Sequence, residues 1–351
     1  MNKSKENLKK AMLWHSDQDG KVKCDLCNHR CMIADGAVGL CRVRENINGT
    51  LYSLNYHSVV AANADYIEKK PLFHFQPGSM SFSIACPGCN FQCDFCQNWQ
   101  ISQAQIEHNR LPGQSLPPEI IVREALAQNC KSIAYTYTEP TIFMELCDDT
   151  ARLAKQHNLT NVFVSNGYMT REAIDTVTDW LDGINVDLKS FSDDYYRKLC
   201  KSKLQPVLNT IEYIAKNTDI WMEITTLVLP EENDSDDELK AIADFIVEKA
   251  GPNVPWHISR FYPQYKHNSS YPTPVETIEK AYKIGKDAGL QYVYPGNMPG
   301  AKTETTFCHN CDKPLLQRSG FHLLANHIKD SRCPYCNEQI PGFQLDSQGQ
   351  Q

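Results

Sequence analysis

The feature that most constrains this chain is a cysteine run within Ser83 to Trp99, SIACPGCNFQCDFCQNW. Cys89, Cys93 and Cys96 are spaced C-x3-C-x2-C, with Phe95 directly before the last of them. Three thiolates on one short loop can hold three corners of a cubane iron–sulfur cluster, since thiolate is the usual ligand for such iron. The fourth iron then lacks a protein ligand, and a small molecule carrying an amine and a carboxylate could chelate it. Cys86 extends the run to C-x2-C-x3-C-x2-C, which opens a second reading, a closed four-cysteine zinc site. Two CxxC pairs so close in sequence make a cramped tetrahedral knuckle. The three-cysteine cluster is preferred, with Cys86 a bystander at a strand end, near enough to serve as an adventitious ligand.

Fifteen cysteines form three groups of four, with Cys130, Cys147 and Cys200 alone. The N-terminal stretch MNKSKENLKKAMLWHSDQDG is charged and has no apolar h-region. Clustered CxxC pairs in such a chain read as metal ligands in a reducing, cytoplasmic compartment, not as disulfides. The solitary cysteines read as small buried apolar residues. Cys24, Cys27, Cys31 and Cys41, spaced C-x2-C-x3-C-x9-C, suit a closed structural metal site pinning a loop too short for its own core. A second iron–sulfur cluster is the competitor there, and His29 reads as a turn residue. Cys308, Cys311, Cys333 and Cys336 form two CxxC knuckles, a zinc-ribbon or rubredoxin-like pattern in which zinc is favoured over iron. His309, His322 and His327 are alternative ligands.

A hydrophobic share of 41% with 22% charged residues is that of an ordinary globular protein. A net charge of −7 argues against non-specific nucleic-acid binding. No apolar run approaches the roughly 20 residues of a membrane span. Residues 3–14 carry Leu8, Ala11 and Met12 at helical spacing. Asn48-Gly49 predicts a tight hairpin turn within 43–61. Residues 67–80 read either as a surface loop packed by Leu72, Phe73 and Phe75 or as a functional lid.

From Ser81 onward strands alternate with amphipathic helices. Strands are predicted at 81–85, 132–137, 161–165, 183–188, 219–229, 256–261 and 291–295. The clearest helix is 235–250, opened by a Ser235/Glu238 capping box and closed by Gly251. Such alternation predicts a parallel sheet with crossovers, an α/β fold best met by an incomplete (β/α)6 barrel, with a doubly wound open sheet as competitor. Chemistry should then sit on the loops after the strands. Polar groups stand in or after five of them: Thr138-Glu139-Pro140; Ser165-Asn166-Gly167-Tyr168; Asp187 and Lys189; Glu223, Thr225 and Thr226; and His257, Ser259 and Arg260. Domain boundaries are expected at 1–80 for an N-terminal cysteine-rich module with its hairpin, 81–300 for the barrel and 301–343 for the C-terminal metal module. Residues 344–351 are expected to be a disordered tail.

The segments CDLCNHRCMIADGAVGLCRVREN, IEKKPLFHFQPGS, GCNFQCDFCQNWQIS, AYTYTEPTIF, VSNGYM, NVDLKSF, WHISRFYP and VYPGNMPG follow one another in the chain. In this set and order the chain resembles the AmmeMemoRadiSam system radical SAM enzymes, relatives of pyruvate formate-lyase activating enzymes. The resemblance implies a partial TIM barrel and a 4Fe–4S cluster on Cys89, Cys93 and Cys96. It also implies S-adenosylmethionine (SAM) at the open iron, cleaved by one electron to methionine and a 5′-deoxyadenosyl radical. It places the backbone around Phe95 by the adenine and Thr138-Glu139 by the SAM amino group, although the two glycines that precede Glu-Pro in related activases are missing here. Asn166 falls near the ribose or methionine moiety, Asp187 and Lys189 near the carboxylate, with Arg260 and His257 as weaker correspondences. Implied partners are a low-potential electron donor such as flavodoxin or ferredoxin and a substrate, which for the activases is a glycyl-radical protein. The rival reading is a non-catalytic binding protein stapled by three structural metal sites.

Overall fold

Parallel strands need a return element, and the amphipathic stretches supply it. In the computed structural model, which describes residues 8–103, 111–298 and 304–346, eight strands form one sheet. They are β1 Ala61–Tyr66, β2 Met80–Ala85, β3 Ser132–Tyr135, β4 Thr160–Ser165, β5 Gly183–Asp187, β6 Trp221–Val228, β7 Trp256–Arg260 and β8 Val293–Gly296. They lie across the sheet in chain order without a reversal. β2 to β8 run parallel and β1 pairs antiparallel with β2.

Helices α1 Pro118–Ala127, α2 Met144–Gln156, α3 Arg171–Val177, α4 Leu204–Asn217, α5 Asp236–Phe245 and α6 Val275–Asp287 follow β2 to β7 in turn. A doubly wound sheet reverses its strand order at a switch point. Unbroken order winds the sheet in one sense, as in a barrel, and β1 does not pair with β8. The fold is therefore a partial barrel of six strand–helix units with β8 as a further parallel strand.

Local chemistry accounts for the elements. Ser235 caps α5 by accepting the Glu238 amide, and Gly251 ends its π-helical extension at φ 101°. The Glu238 carboxylate accepts instead from the Ser190 hydroxyl and the Phe191 amide, so the capping residue also ties α5 to the loop after β5. The hairpin turns at Asn48 and Gly49, both with positive φ, between strands Arg44–Ile47 and Thr50–Ser53.

Several expectations are corrected. Residues 3–7 of the segment read as helix lie outside the described residues, and the remainder is not helical: Lys9–Lys10 pairs with the hairpin, and Trp14–Ser16 with Val22–Cys24. Here the Met12 amide donates to Glu145 at 2.7 Å and the Ala11 amide to the Leu51 carbonyl at 2.9 Å, tertiary partners that override a weak helical preference.

Of the two readings of 67–80, packing by Leu72, Phe73 and Phe75 holds, but the packed stretch is buried, not a surface loop, and it does not cover the strand ends as a lid would. Leu72, Phe73, His74 and Phe75 are buried, and Phe75 packs with Ile67, Ala134 and Val162. The segment closes the N-terminal end of the barrel, opposite the strand ends where chemistry is expected. Glu223 and His257, placed by sequence with the polar groups of those ends, lie at this floor. The Glu223 carboxylate accepts from the amides of Phe73 and His74, the Trp221 indole and His257.

Strands Thr306–Phe307, Pro314–Ser319 and His322–Asn326 form a small antiparallel sheet with its own core of Leu315, Leu316, Ile328 and Ile340. It docks on the floor. Arg318 bridges to Glu68 at 3.2 Å, both fully buried, donates to the Phe73 carbonyl and lies over the Phe73 ring. Of the tail, 344–346 is ordered against this sheet, with the Asn326 amide on the Leu345 carbonyl; residues 347–351 lie outside the described residues.

His74 makes the floor sensitive to acid. Its Nδ1 faces the Pro341 carbonyl at 2.8 Å and so must carry the proton, which leaves Nε2 to accept from the Tyr294 hydroxyl at 2.6 Å. Burial pushes its pKa down to about 4. A lowered pKa means that the unfolded chain binds this proton first, so stability is lost as pH falls from the unfolded value toward 4. Urea titrations should show this loss, on the order of 3 kcal/mol for a shift of that size, and His74→Gln should flatten the slope in that window.

Candidate cofactor and metal sites

The cysteine loop starts at the end of β2 and is pinned from several directions. The Gln92 and Asp94 amides donate to the carbonyls of Cys200 and Leu199, and the Lys266 and His267 amides donate to the Asp94 carbonyl. Asn98 donates to the Tyr137 carbonyl at 2.8 Å, and Trp99 stacks on Tyr265. Phe95 is buried, with its ring 5.9 Å from that of Tyr195.

Each cysteine of the triad has a polar contact. Cys89 accepts from the Phe91 amide at 3.3 Å and from Asn166 Nδ2 at 3.8 Å. Cys96 Sγ lies 3.2 Å from the Ser102 hydroxyl. A hydrogen bond from Cys200 holds the Cys93 thiol below its usual range, aided by the charge of Lys189 and opposed by burial. Burial and then Glu139 push the Cys89 thiol well up. Burial and then the charge of Glu145 push the Cys86 thiol well up, and Cys86 is in turn the largest charged influence on the buried Cys147.

The other predicted residues gather on the same rim with different commitments. The Thr138 hydroxyl donates to the Cys86 carbonyl at 2.7 Å. Glu139 is buried, and its carboxylate accepts from the Thr141 amide and hydroxyl, the Ser165 hydroxyl and the Asn166 amide. Asn166 Nδ2 also donates to Asn90 Oδ1 at 2.7 Å. Lys189 pairs with Asp187 at 2.8 Å. Burial works against the Lys189 charge, but Asp187 and Cys93 outweigh it and hold the pKa well above the usual lysine range. Arg260 is turned to its own following loop, donating to the Thr273 carbonyl and lying over Tyr262. Sequence reading missed Asn90, Ser102 and Cys200, whose partners in the site are distant in the fold's wiring or masked as ordinary polar and apolar residues. It also underrated His29, whose Nε2 meets the Asn90 carbonyl at 2.8 Å.

The cysteine groups differ in spacing. A Zn–S bond of about 2.3 Å places the sulfurs of a tetrahedral site about 3.8 Å apart. Among the described residues, Cys308, Cys311, Cys333 and Cys336 form the one group of three or more ligand atoms all within 4.8 Å of one another. Cys308–Cys336 is 3.6 Å and Cys311–Cys333 is 3.7 Å, so this group is built for a single metal ion. The nearby histidines are engaged elsewhere: His309 with Tyr292, His322 against Tyr66 and His327 with Gln317. In neither the rim triad nor the Cys24 group do three sulfurs lie within 4.8 Å of one another.

The Radical SAM superfamily model matches residues 83–246. A Methanocaldococcus jannaschii protein of uncharacterized function is 42% identical over 335 residues, covering 95% of this chain and 99% of the relative. The chain belongs to the radical SAM superfamily. Membership implies SAM and an iron–sulfur cluster as cofactors, and an enzyme. A second protein of that organism, provisionally named a glycyl-radical enzyme activating enzyme, is 27% identical over 59% of this chain and 75% of its own length. The fold is shared with a radical SAM methyltransferase from Sphaerobacter thermophilus, at TM-score 0.50 and 15% identity, over 63% of this chain and 67% of that one. No helix among the described residues is long and apolar enough to cross a membrane.

Gly88 sets how closely the N-terminal segment approaches the cysteine loop. At φ 102° an added Cβ would stand 2.8 Å from Val43 Cγ1 and 3.1 Å from the Cys41 carbonyl oxygen. Gly289 has φ 103° with nothing within 4 Å, so it shares the backbone strain without the clash. Iron content after anaerobic reconstitution should fall in Gly88→Ala and stay at the wild-type value in Gly289→Ala.

Proposed function

We propose that this chain is a radical SAM enzyme that removes a hydrogen atom from a partner protein, with Cys89, Cys93 and Cys96 holding a 4Fe–4S cluster. The observation that carries it is the rim triad: three cysteines on one pinned loop, whose sulfurs are not gathered to the spacing of a single ion, with Cys86 buried just after β2. When bound, the cluster and SAM supply a 5′-deoxyadenosyl radical through one-electron cleavage of a carbon–sulfur bond. The protein's share is binding and positioning.

Lys189 and Asp187 offer opposite charges for the carboxylate and ammonium of the methionine moiety. Asn166, against Cys89, offers an amide to the same region, and the backbone at Phe95 offers an edge to the adenine. Glu139 is assigned a positioning role, because its four protein donors leave it holding Asn166 and Ser165. Thr138 steadies the strand end at Cys86, and Arg260 steadies the loop whose residues 266 and 267 bind Asp94. Homolysis requires no general acid or base, and none is assigned.

The relative named as an activating enzyme supports a protein substrate, and a low-potential donor of the flavodoxin or ferredoxin class supplies the electron. The C-terminal group takes one zinc ion, which braces the floor.

Anaerobically reconstituted protein, reduced with dithionite in the presence of SAM, should form 5′-deoxyadenosine, and Cys93→Ala should form none. A colourless wild type that carries zinc alone and yields no product would overturn the enzyme reading in favour of a metal-stapled binding protein.

A further inference from the structure

The N-terminal cysteines have a geometry of their own. Cys24, Cys27, Cys31 and Cys41 line one small cavity together with His29 and Arg44. None forms a disulfide, and all but Cys31 are buried. Whereas the C-terminal group has closed to the spacing of a single ion, no three of these four sulfurs lie within 4.8 Å of one another. Soft ligands spread around a cavity suit a cluster better than one tetrahedral zinc ion.

Arg44 is a second, independent sign. It is 1% exposed and donates from Nη1 to Cys24 Sγ at 3.5 Å, yet its Nε has no hydrogen-bond partner. A buried guanidinium N–H is costly to leave unmatched. The sulfides of a cluster in the cavity that Arg44 lines would give it an acceptor, and its charge would offset theirs.

The cavity also adjoins the rim loop. The Cys41 carbonyl lies against Gly88, the residue before Cys89. His29, on the cavity wall, meets the Asn90 carbonyl, and Asn90 and Cys89 share the Asn166 amide. Solvent is nearest at half-buried Cys31.

We propose that Cys24, Cys27, Cys31 and Cys41 hold a second iron–sulfur cluster, closed by four protein ligands, that passes single electrons to the rim cluster. The relay rests on the reading of the rim triad given above; the cluster itself does not. One electron leaves a protein donor of the flavodoxin or ferredoxin class, lowers the iron valence of the N-terminal cluster, and moves on to the rim cluster. The donor is oxidised and the rim cluster reduced, with no bond to the protein formed or broken and no proton moved.

The test uses the full chain carrying Cys89→Ala, Cys93→Ala and Cys96→Ala, which removes the rim site and leaves the other two. After anaerobic reconstitution it should remain brown, hold iron and acid-labile sulfide in equal numbers, up to about four of each, and give an electron paramagnetic resonance signal on reduction. Adding Cys24→Ala and Cys41→Ala should abolish the sulfide. A colourless triple variant with two zinc ions, or sulfide that survives the added substitutions, would overturn the proposal. Circular dichroism checks that each variant is folded, and Cys31→Ser replaces the double substitution if that chain unfolds. With the rim cysteines intact, the same N-terminal substitutions should abolish reduction of the rim cluster by reduced flavodoxin and retain it with dithionite. Unchanged reduction by flavodoxin would sink the relay.

Discussion

The ion pair between Arg44 and Glu145 sets the position of almost everything at the rim. Both side chains are about as buried as a residue can be, at 1% exposure, and they pair directly. Two charges taken out of water are costly, and removing one partner leaves the other stranded, a loss of roughly 3–5 kcal/mol. Glu145 opens α2, while Arg44 begins the first strand of the hairpin. The N-terminal segment therefore cannot drift from the barrel without exposing or orphaning a charge. Its docked position carries Val43 and the Cys41 carbonyl against Gly88 and brings two cysteine groups into contact. Val22, Ile33, Val43 and Leu51 consequently pack in the same core as Ile142 and Phe143 of the barrel.

The two ends of the barrel use polar burial differently. At the rim, polar side chains hold loops: Glu139 fixes Asn166, Asn166 reaches Cys89 and Asn90, and Lys189 stands beside Cys93. At the floor, Glu223 gathers the backbone of residues 73 and 74, and Arg318 joins the small metal module to Glu68 and Phe73. One end keeps a few polar groups convergent on a loop of cysteines. The other spends its hydrogen bonds on closing the protein. A buried glutamate held by many donors can thus serve either purpose, and only its depth along the strand tells which.

Much of this was legible in the chain. The seven parallel strands announce themselves as apolar runs, because a strand covered on both faces must be apolar on both. The cysteine groups were legible because ligand spacing is local. β1 was missed because an edge strand with Asn63 and Asp65 carries no apolar run. The extended stretch at 9–16 was missed because its partners, Leu51, Asp149 and Glu145, lie far along the chain. Glu223 and His257 were placed with the rim because period and polarity report a face but not a height; they stand near the starts of β6 and β7. The occupied state of Glu139 was hidden for the same reason, since Ser165 and Asn166 are 26 and 27 residues away.

The sheet does not close between β1 and β8, and that has a mechanical consequence. In a closed barrel, strand number and shear fix the diameter; an open one has no such hoop. Here the segment of residues 71–75 takes that role. It touches β5 through Asn185 and Gly183, β6 through Glu223, β7 through His257 and β8 through Tyr294. The small metal module clasps the same segment through Arg318 and Phe343. The girth of the barrel, and with it the width of its far end, is thus gauged from below by a clamp that never meets the cysteine loop.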